Sequence, residues 1–222
     1  MNEIDKLIDF IKESNHIVFF GGAGVSTESG VPDFRSKDGL YNQHDIKFDM
    51  YQPEYLLSHD CLVLKPEVFY EFYRQKMDAR HVEPNITHKV LAKLEEAGKL
   101  SAVVTQNIDG LHQKAGSRNG QELHGSVQRN TCQGCHTHYD LDFILDEKNC
   151  KNGVPICPKC GSVIKPDVVL YGECLDELTM HLSIKAIEEC DMLIIGGTSL
   201  VVLLVEMGMV LSVSRNSRIK KK

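Results

Sequence analysis

Apolar residues recur along the chain in two patterns, one with the period of a helix and one in short, mostly apolar runs. Positions 4, 7, 8 and 11 follow the helical period and predict an amphipathic first helix, and similar patterns return at 66–77 and 88–97. Runs at 17–20, 101–105 and 192–195 predict buried strands. Strands that alternate with helices are typical of the α/β class, in which helices cover both faces of a parallel sheet.

Charge and hydropathy exclude several classes of protein. The net charge is −6 and the pI about 5.9, which argues against a nucleic-acid or anionic-membrane binder. Residues 192–213 have the length of a membrane span and one charge, Glu206, but the sequence GGTS at 196–199 divides them into a strand, a loop and a helix. Charged residues within the first ten positions leave no apolar core for a signal peptide. We expect a cytoplasmic protein with no nucleic-acid and no membrane partner.

Eight cysteines in a chain without a secretion signal point to reduced thiols, and four of them are paired. Two C-x₂-C pairs, separated by residues 136–156, can each direct two thiolates toward one metal ion. The pairs are Cys132 with Cys135, and Cys157 with Cys160. Four protein ligands leave no open coordination position, so the pattern predicts one structural Zn²⁺ ion in a small module at about 128–164. A disulfide or redox pair is the alternative.

The first predicted strand runs directly into a turn of small residues, GGAGVST at 21–27. Missing side chains let a backbone approach a diphosphate, and a helix that begins after the turn would offer unpaired N–H groups. The third glycine of the dehydrogenase fingerprint is absent, and no convincing acidic partner for a ribose follows about 20 positions further on. The turn alone leaves open both a dinucleotide site and a plain strand–helix connection.

Three longer segments narrow the function. STESGVPDFRS at 26–36 continues the turn, TQNIDGLH at 105–112 follows the second strand, and ELHG at 122–125 comes shortly afterwards. In this order they resemble the signature motifs of the sirtuin family, in its bacterial type, and the resemblance extends from about residue 7 to residue 202. It implies a Rossmann-like parallel sheet with helices on both faces, a small zinc-binding module, and NAD as cofactor.

The resemblance also implies which residues contact NAD. Residues 33–35 would line its nicotinamide and ribose, 106–107 would meet a ribose, 108–109 would receive the nicotinamide, and 198–199 would contact the adenosine half. An arginine at position 35 suits a diphosphate, and a phenylalanine at position 34 would shield a reactive ribose from water. The expected cofactor contacts are Gly22, Ala23, Gly24, Thr27, Asp33, Phe34, Arg35, Gln106, Asn107, Ile108, Asp109, Thr198 and Ser199.

The resemblance assigns His124 as the general base. In the implied reaction an acyl-lysine oxygen attacks the ribose of NAD as nicotinamide leaves, and a ribose hydroxyl then loses a proton. Imidazole, with an unperturbed pKa of about 6.5, suits that transfer at neutral pH. The segment KPDVVLYGE at 165–173 resembles the family's peptide-binding strand, with an ordinary edge strand as the alternative. Its expected substrate contacts are Val168, Val169, Leu170 and Tyr171.

We expect one sirtuin-type domain over residues 1–222. Its Rossmann-like part would comprise about 1–35, 85–127 and 165–222, with a cofactor loop at about 35–53 and a helical insert at about 54–84. After Val202 the sequence departs from the family pattern, which includes a further helix and strand. Without an equivalent of those elements, apolar surface would be exposed and the adenosine pocket weakened.

The sequence therefore predicts an enzyme that removes acyl groups, with acetyl expected, from protein lysines in an NAD-dependent reaction. Its products would be nicotinamide, free lysine and 2′-O-acyl-ADP-ribose, and its partners acyl-lysine proteins or peptides. Two alternatives stay open, an NAD-dependent protein ADP-ribosyltransferase and a catalytically impaired binding module held together by zinc. The presence of His124 favours deacylation over transfer to protein.

Overall fold

The computed structural model describes residues 2–34, 36–37, 39–42 and 45–199, and the backbone of 218–220. Its helices are α1 (Glu3–Glu13), α2 (Pro53–Leu56), α3 (His59–Leu64), α4 (Pro66–Lys76), α5 (Ile86–Glu96), α6 (Leu111–Lys114), α7 (Leu141–Leu145) and α8 (Glu177–Glu189). Its strands are β1 (Ile17–Gly21), β2 (Leu100–Thr105), β3 (Gly120–Glu122), β4 (Gly125–Cys132), β5 (His138–Tyr139), β6 (Cys150–Lys151), β7 (Val154–Pro155), β8 (Ile164–Val168), β9 (Met192–Gly196) and β10 (Arg218–Lys220). Within these described residues no helix combines the length and apolar character needed to cross a membrane.

Five strands form a parallel sheet in the order β10-β9-β1-β2-β3. β1 is buried along its whole length because helices cover both faces of this sheet. Ala186 and Ile187 of α8 pack against one face, while Phe10 of α1 and Leu94 of α5 pack against the other. The predicted parallel sheet with helices on both faces is confirmed, and the three predicted strands are β1, β2 and β9.

The strand order creates a crevice at one edge of the sheet. β2 and β9 lie on opposite sides of β1, so the connections that follow β1 and β9 diverge at their carboxyl ends. Ligands of open α/β sheets bind outside the carboxyl ends of the strands at such a reversal of strand order. The segments that begin at residues 22, 106 and 197 all start there.

The segment after β1 differs from the sequence prediction of a helix. It consists of two 3-10 turns, Ala23–Val25 and Thr27–Ser29. The N–H of Gly24 donates to the carbonyl of Gly197 at 2.9 Å, and a Cβ at Gly24 would lie 2.9 Å from the Cα of Gly197. The glycine therefore permits two loops to pack backbone against backbone, and a helix N-terminus does not supply the N–H groups expected for a diphosphate.

A second, antiparallel sheet in the order β5-β4-β8 shares one core with the helices α2, α3, α4 and α7. Tyr70 of α4 is fully buried, and its hydroxyl donates to the carbonyl of Ile164 in β8 at 2.6 Å. Cys132 and Cys157 belong to the same core. The helices at 54–84 and the cysteine-bearing segment thus pack together, while the division of the chain into the expected parts stays a prediction.

Some predicted features lie outside the described residues. They are Arg35, the helix expected after residue 199, and the departure from the family pattern that begins after Val202. The backbone of β10 pairs in parallel with β9, with Ile219 opposite Leu193.

Candidate active site

A cavity of about 470 Å³ opens at the carboxyl ends of β1, β2 and β9, and the segment that follows β8 forms its opposite wall. Most residues predicted to bind cofactor or substrate line this cavity. They are Ala23, Gly24, Asp33, Phe34, Gln106, Asn107, Ile108, His124, Val168, Val169, Leu170, Tyr171, Thr198 and Ser199.

Three other predicted contacts lie at different places. Asp109 lines a smaller cavity of about 110 Å³, whose walls include Asn107 and Ile108 and which therefore adjoins the first. Gly22 packs beside the side chain of Thr198, since a Cβ there would lie 2.7 Å from that of the threonine. The hydroxyl of Thr27 donates to the carbonyl of Gly24 at 3.0 Å, and the side chain is exposed.

His124 is fixed through one ring nitrogen. Its Nδ1 lies 2.9 Å from the carbonyl oxygen of Gln106, the first residue after β2. A carbonyl oxygen only accepts hydrogen bonds, so Nδ1 carries the hydrogen, and Nε2 is the basic nitrogen of the neutral ring. The backbone amide of Gln106 is itself bonded to the carbonyl of Gly21 at 2.9 Å, which ties this segment to the end of β1.

A buried polar network lines the smaller cavity and reaches the larger one through Asn107. The hydroxyl of Ser26, fully buried, donates to Asp109 Oδ2 at 2.6 Å and accepts from Asn107 Nδ2 at 2.9 Å. Asp109 Oδ1 accepts the backbone N–H of Leu111 at 2.9 Å. One carboxylate oxygen is therefore held by the helix that follows and the other by a hydroxyl, so the Asp109 side chain has a fixed orientation.

His88, at the start of α5, contacts this network through Ser26. Its Nδ1 accepts the N–H of Asn85 at 3.3 Å as part of the cap of α5, so Nε2 carries the hydrogen and points to Ser26 Oγ at 3.5 Å. Burial lowers the pKa of His88, and the charge of Asp109 acts in the opposite direction. The ring of His112, also buried, packs edge-on against His88 with ring centroids 4.7 Å apart.

The segment after β8 is bonded on both sides. The N–H of Val169 donates to the carbonyl of His124 at 2.9 Å, and the N–H of Tyr171 donates to the carbonyl of Leu57 at 3.0 Å. The carbonyl of Tyr171 accepts the N–H of His59 at 2.9 Å. An extended peptide that adds to this segment therefore cannot bond to the N–H groups of Val169 and Tyr171 or to the carbonyl of Tyr171 without breaking these bonds. The sequence did not predict this restriction.

Glu173 anchors the end of the same segment. Its carboxylate accepts from the N–H of Leu170 at 3.0 Å and lies 3.1 Å from Lys165 Nζ and 3.0 Å from His59 Nδ1. Burial alone would raise the pKa of Glu173, but the hydrogen bonds from Leu170, His59 and Lys165 outweigh it and lower the pKa. The turn that carries Tyr171 is thus held by a charged cluster at its base.

The four predicted metal ligands come together. The Sγ atoms of Cys132, Cys135, Cys157 and Cys160 all lie within 4.8 Å of one another, and two of the pairs are 3.3 and 3.6 Å apart. A tetrahedral Zn²⁺ with Zn–S bonds of about 2.3 Å separates its sulfurs by roughly 3.8 Å. The donor set and its spacing fit a structural zinc ion.

Both cysteine pairs have the same backbone turn. The N–H of His136 donates to the carbonyl of Cys132 at 3.1 Å, and the N–H of Gly161 donates to that of Cys157 at 2.9 Å. The residue after each pair has a positive φ, 58° at His136 and 76° at Gly161. Two copies of one knuckle thus direct their thiols to a common point, as expected for a metal site and not for a disulfide.

Comparison with known proteins identifies the family. A family model described as "Sir2 family" matches residues 22–203. The chain belongs to the Sir2 family. It is 58% identical over 202 residues to a protein of Clostridium perfringens named NAD-dependent protein deacetylase, a match that covers 90% of this chain and 80% of that protein.

Solved Sir2 structures have the same fold. One described as "Sir2-p53 peptide-NAD+" matches with a TM-score of 0.77 at 36% identity, over 90% of this chain and 78% of the other. Another, "Sir2 bound to acetylated peptide", matches with a TM-score of 0.78 at 34% identity, over 90% and 77%. The sirtuin resemblance is thus confirmed, and the family match ends beside Val202, where the sequence departs from the expected pattern.

The cavity of this Sir2 chain fits NAD by its size and its donor groups. Its volume of about 470 Å³ lies in the range of small-molecule sites. The amides of Gln106 and Asn107 and the hydroxyls of Thr198 and Ser199 can bond sugar hydroxyls and phosphate oxygens. No lysine or arginine is found among the described residues of the lining, so Arg35 remains the predicted partner of the diphosphate.

Sequence reasoning missed several residues of this Sir2 site. Ser26 and His88 were not among the predicted contacts, although Ser26 lies within the motif at 26–36. Tyr73 and Met77 reach the cavity from α4 and its end, and Leu57 reaches it from the turn after α2. The helical period of these segments indicated burial but carried no signal for which cavity they would face.

Proposed function

We propose that this Sir2 chain removes acyl groups from protein lysines with NAD as co-substrate, releasing nicotinamide and forming 2′-O-acyl-ADP-ribose. The observation that carries the proposal is His124, which is fixed through Nδ1 and lies on one cavity with the turn after β1 and the segment after β8. A relative that is 58% identical is named NAD-dependent protein deacetylase. NAD supplies, when bound, an activated ribose from which nicotinamide can leave.

His124, Asp109 and Phe34 have separate roles in the proposed reaction. Nε2 of neutral His124 can accept the proton of a sugar hydroxyl, because the Gln106 carbonyl holds the hydrogen on Nδ1. Asp109 has a carboxylate of fixed orientation on the smaller cavity, where it can accept from a carboxamide N–H₂. Phe34 lines both cavities, where its ring would exclude water from a reactive ribose.

The wall on the β8 side suits an uncharged acyl group. Its apolar residues include Leu57, Met77, Val168 and Leu170, and Ile108 lines the same cavity. Among the described lining residues no cation is present to neutralise an acyl chain that ends in a carboxylate. Acetyl is therefore the expected acyl group, carried on a protein or peptide lysine.

The test combines product analysis with one substitution. We expect purified protein to release nicotinamide only when NAD and an acetyl-lysine peptide are both present, with 2′-O-acetyl-ADP-ribose detected by mass spectrometry. His124→Ala should lower the rate by about 10²–10⁴-fold, the range for loss of a general base. His181→Ala, which removes an exposed imidazole of α8, should keep the wild-type rate.

Other outcomes would contradict the proposal. ADP-ribose attached to protein, with nicotinamide release that needs no acyl-peptide, would establish the transferase instead. Peptide binding without release of nicotinamide would establish the impaired binding module. A His124→Ala protein that is folded and fully active would exclude His124 as the base.

We also propose a cytosolic location, since the four thiol ligands of zinc must stay reduced. Cell fractionation tests this, and recovery of the protein in a membrane or extracellular fraction would contradict it.

A further inference from the structure

A pair of hydroxyl groups links one wall of the large cavity to the loop that follows Phe34. The phenol oxygens of Tyr41 and Tyr171 lie 2.6 Å apart, a strong hydrogen bond between side chains 130 positions apart in the sequence. Tyr171 follows β8 on the wall assigned to substrate, whereas Tyr41 belongs to a 3-10 turn beside the segment assigned to NAD. The Tyr41–Tyr171 bond thus connects the side chains of the segment assigned to substrate and the loop beside the segment assigned to NAD.

Both tyrosines are held through backbone hydrogen bonds. Tyr171 has both its N–H and its carbonyl bonded to residues 57–59, although 38% of its side chain is exposed. Tyr41 is attached to the cofactor segment, because its N–H donates to the carbonyl of Phe34 at 3.0 Å and its ring meets that of Phe34 edge-on at 5.5 Å. The N–H of Leu40 donates to the carbonyl of Asp33 at 2.7 Å, which closes the base of the same loop.

Two contacts therefore link the substrate wall to the cofactor segment, the hydroxyl bond between Tyr171 and Tyr41 and the ring contact between Tyr41 and Phe34. Tyr171 orients the Tyr41 hydroxyl, and Tyr41 orients Phe34, which lines both cavities together with Asn107 and Ile108. An acyl-lysine packed against the exposed ring of Tyr171 would restrict that ring to the rotamer that meets Tyr41. The cofactor segment would then be ordered before the nucleotide arrives, and a site that is already ordered binds with less loss of conformational entropy.

We propose that Tyr41 and Tyr171 are positioning residues whose hydroxyl bond couples the acyl-lysine site to the nucleotide site, so that occupation of either site strengthens binding at the other. This inference rests on the proposed function, because it takes the wall at 168–171 as the acyl-lysine site. Coupling between two sites is reciprocal, so each ligand must raise the affinity for the other by the same factor.

The experiment measures coupling with ligands that cannot react together. ADP-ribose is titrated into the protein alone and in the presence of a saturating acetyl-lysine peptide, and the ratio of the two dissociation constants is the coupling factor. We expect wild-type protein to bind ADP-ribose about fivefold more tightly with peptide, the amount that one net hydrogen bond supports. Tyr41→Phe, Tyr171→Phe and the double variant keep both rings and should each reduce the ratio to about one.

A double-mutant cycle separates this role from a structural one. Because either substitution breaks the same bond, the double variant should lose no more coupling than either single variant. Tyr51→Phe serves as the control, since it removes another tyrosine hydroxyl, bonded to Lys65 Nζ at 3.2 Å and absent from the described cavity lining. Steady-state kinetics should show a higher KM for NAD in the Tyr41→Phe protein with kcat nearly unchanged, because Tyr41 is bonded to Tyr171 but is absent from the described cavity lining.

Each other outcome overturns the inference. Equal ADP-ribose affinity with and without peptide in wild-type protein would show that the sites are not coupled. Variants that retain the wild-type ratio, or losses that add in the double variant, would show that this hydroxyl bond does not carry the coupling. Failure of wild-type protein to turn over NAD and acetyl-peptide would overturn the proposed function as well, and that result appears before any variant is made.

Discussion

Acid should destabilise this fold through the buried imidazole of His112. His112 has 1% of its surface exposed, and within the described residues neither of its ring nitrogens has a hydrogen-bond partner. Its ring packs against those of Phe19 and His88. Burial, and then the charge that His88 would carry, lower the pKa of His112 from 6.5 to about 4.

The sign and size follow from proton linkage. With a pKa of about 4 in the folded state and 6.5 in the unfolded state, the unfolded chain binds more protons between these values. The free energy of unfolding therefore falls as the pH drops below about 6.5, and this contribution levels off below about 4. Each pKa unit corresponds to about 1.4 kcal/mol, so His112 should cost about 2 kcal/mol by pH 5 and about 3 kcal/mol by pH 4.

The assay compares urea unfolding of wild-type and His112→Phe proteins from pH 7.5 to pH 5, a range chosen to limit loss of zinc from the thiolates. Phenylalanine keeps an aromatic ring in the site and cannot be protonated, so its stability should be close to wild type at pH 7.5 and about 2 kcal/mol higher at pH 5. His181→Gln, on the exposed face of α8, controls for the loss of a histidine as such. Parallel pH profiles for wild-type and His112→Phe proteins would refute the reasoning.

Three further perturbations test the packing of the two sheets. Chelation of zinc should lower the melting temperature, and added Zn²⁺ should restore it, because two of the four ligands lie in the core shared with α4. A melting temperature that does not change with chelator would contradict a structural ion. Gly24→Ala should lower the free energy of unfolding in urea by about 1–3 kcal/mol, because the new Cβ would lie 2.9 Å from the backbone of Gly197. Gly120→Ala is the control and should cost less, since its Cβ would meet only the flexible end of the Gln113 side chain at 2.9 Å. Equal costs for the two variants would refute this reasoning. Tyr70→Phe should cost about 1–3 kcal/mol, since it leaves a buried strand carbonyl without its partner, and an unchanged midpoint in urea would show that the bond is replaceable.

The sequence predicted the elements whose signal is local. The strand at 17–20 was evident because four consecutive apolar residues end at a glycine, and the structure buries all of β1. The zinc site was evident because the spacing within each C-x₂-C pair fixes the turn, as the matching backbone bonds at His136 and Gly161 show. In both cases the residues that determine the structure are neighbours in the chain.

Features that depend on distant partners were not predictable. The turn after β1 was expected to start a helix, but the N–H of Gly24 is bonded to Gly197, which only the folded sheet brings near. The sequence did not indicate that Ser26 joins a buried network, because its partners Asn107 and Asp109 follow β2 and are far away in the chain. The same holds for His88, which belongs to the N-terminal cap of α5. Hydrophobic periodicity reports burial and cannot report which polar groups meet inside.

The position of His124 explains why a metal ion that performs no chemistry belongs in this enzyme. Its ring is held by the Gln106 carbonyl, at the end of the parallel sheet, and its own carbonyl is held by the N–H of Val169, after the antiparallel sheet. β8 keeps its register by pairing with β4, which ends at the zinc ligand Cys132. Release of the ion would loosen β4 and β8 together, and Val169 would then no longer fix the backbone of His124, the proposed base. Zinc-free protein should therefore lose turnover even where the parallel sheet, and with it the groups assigned to NAD, remains folded.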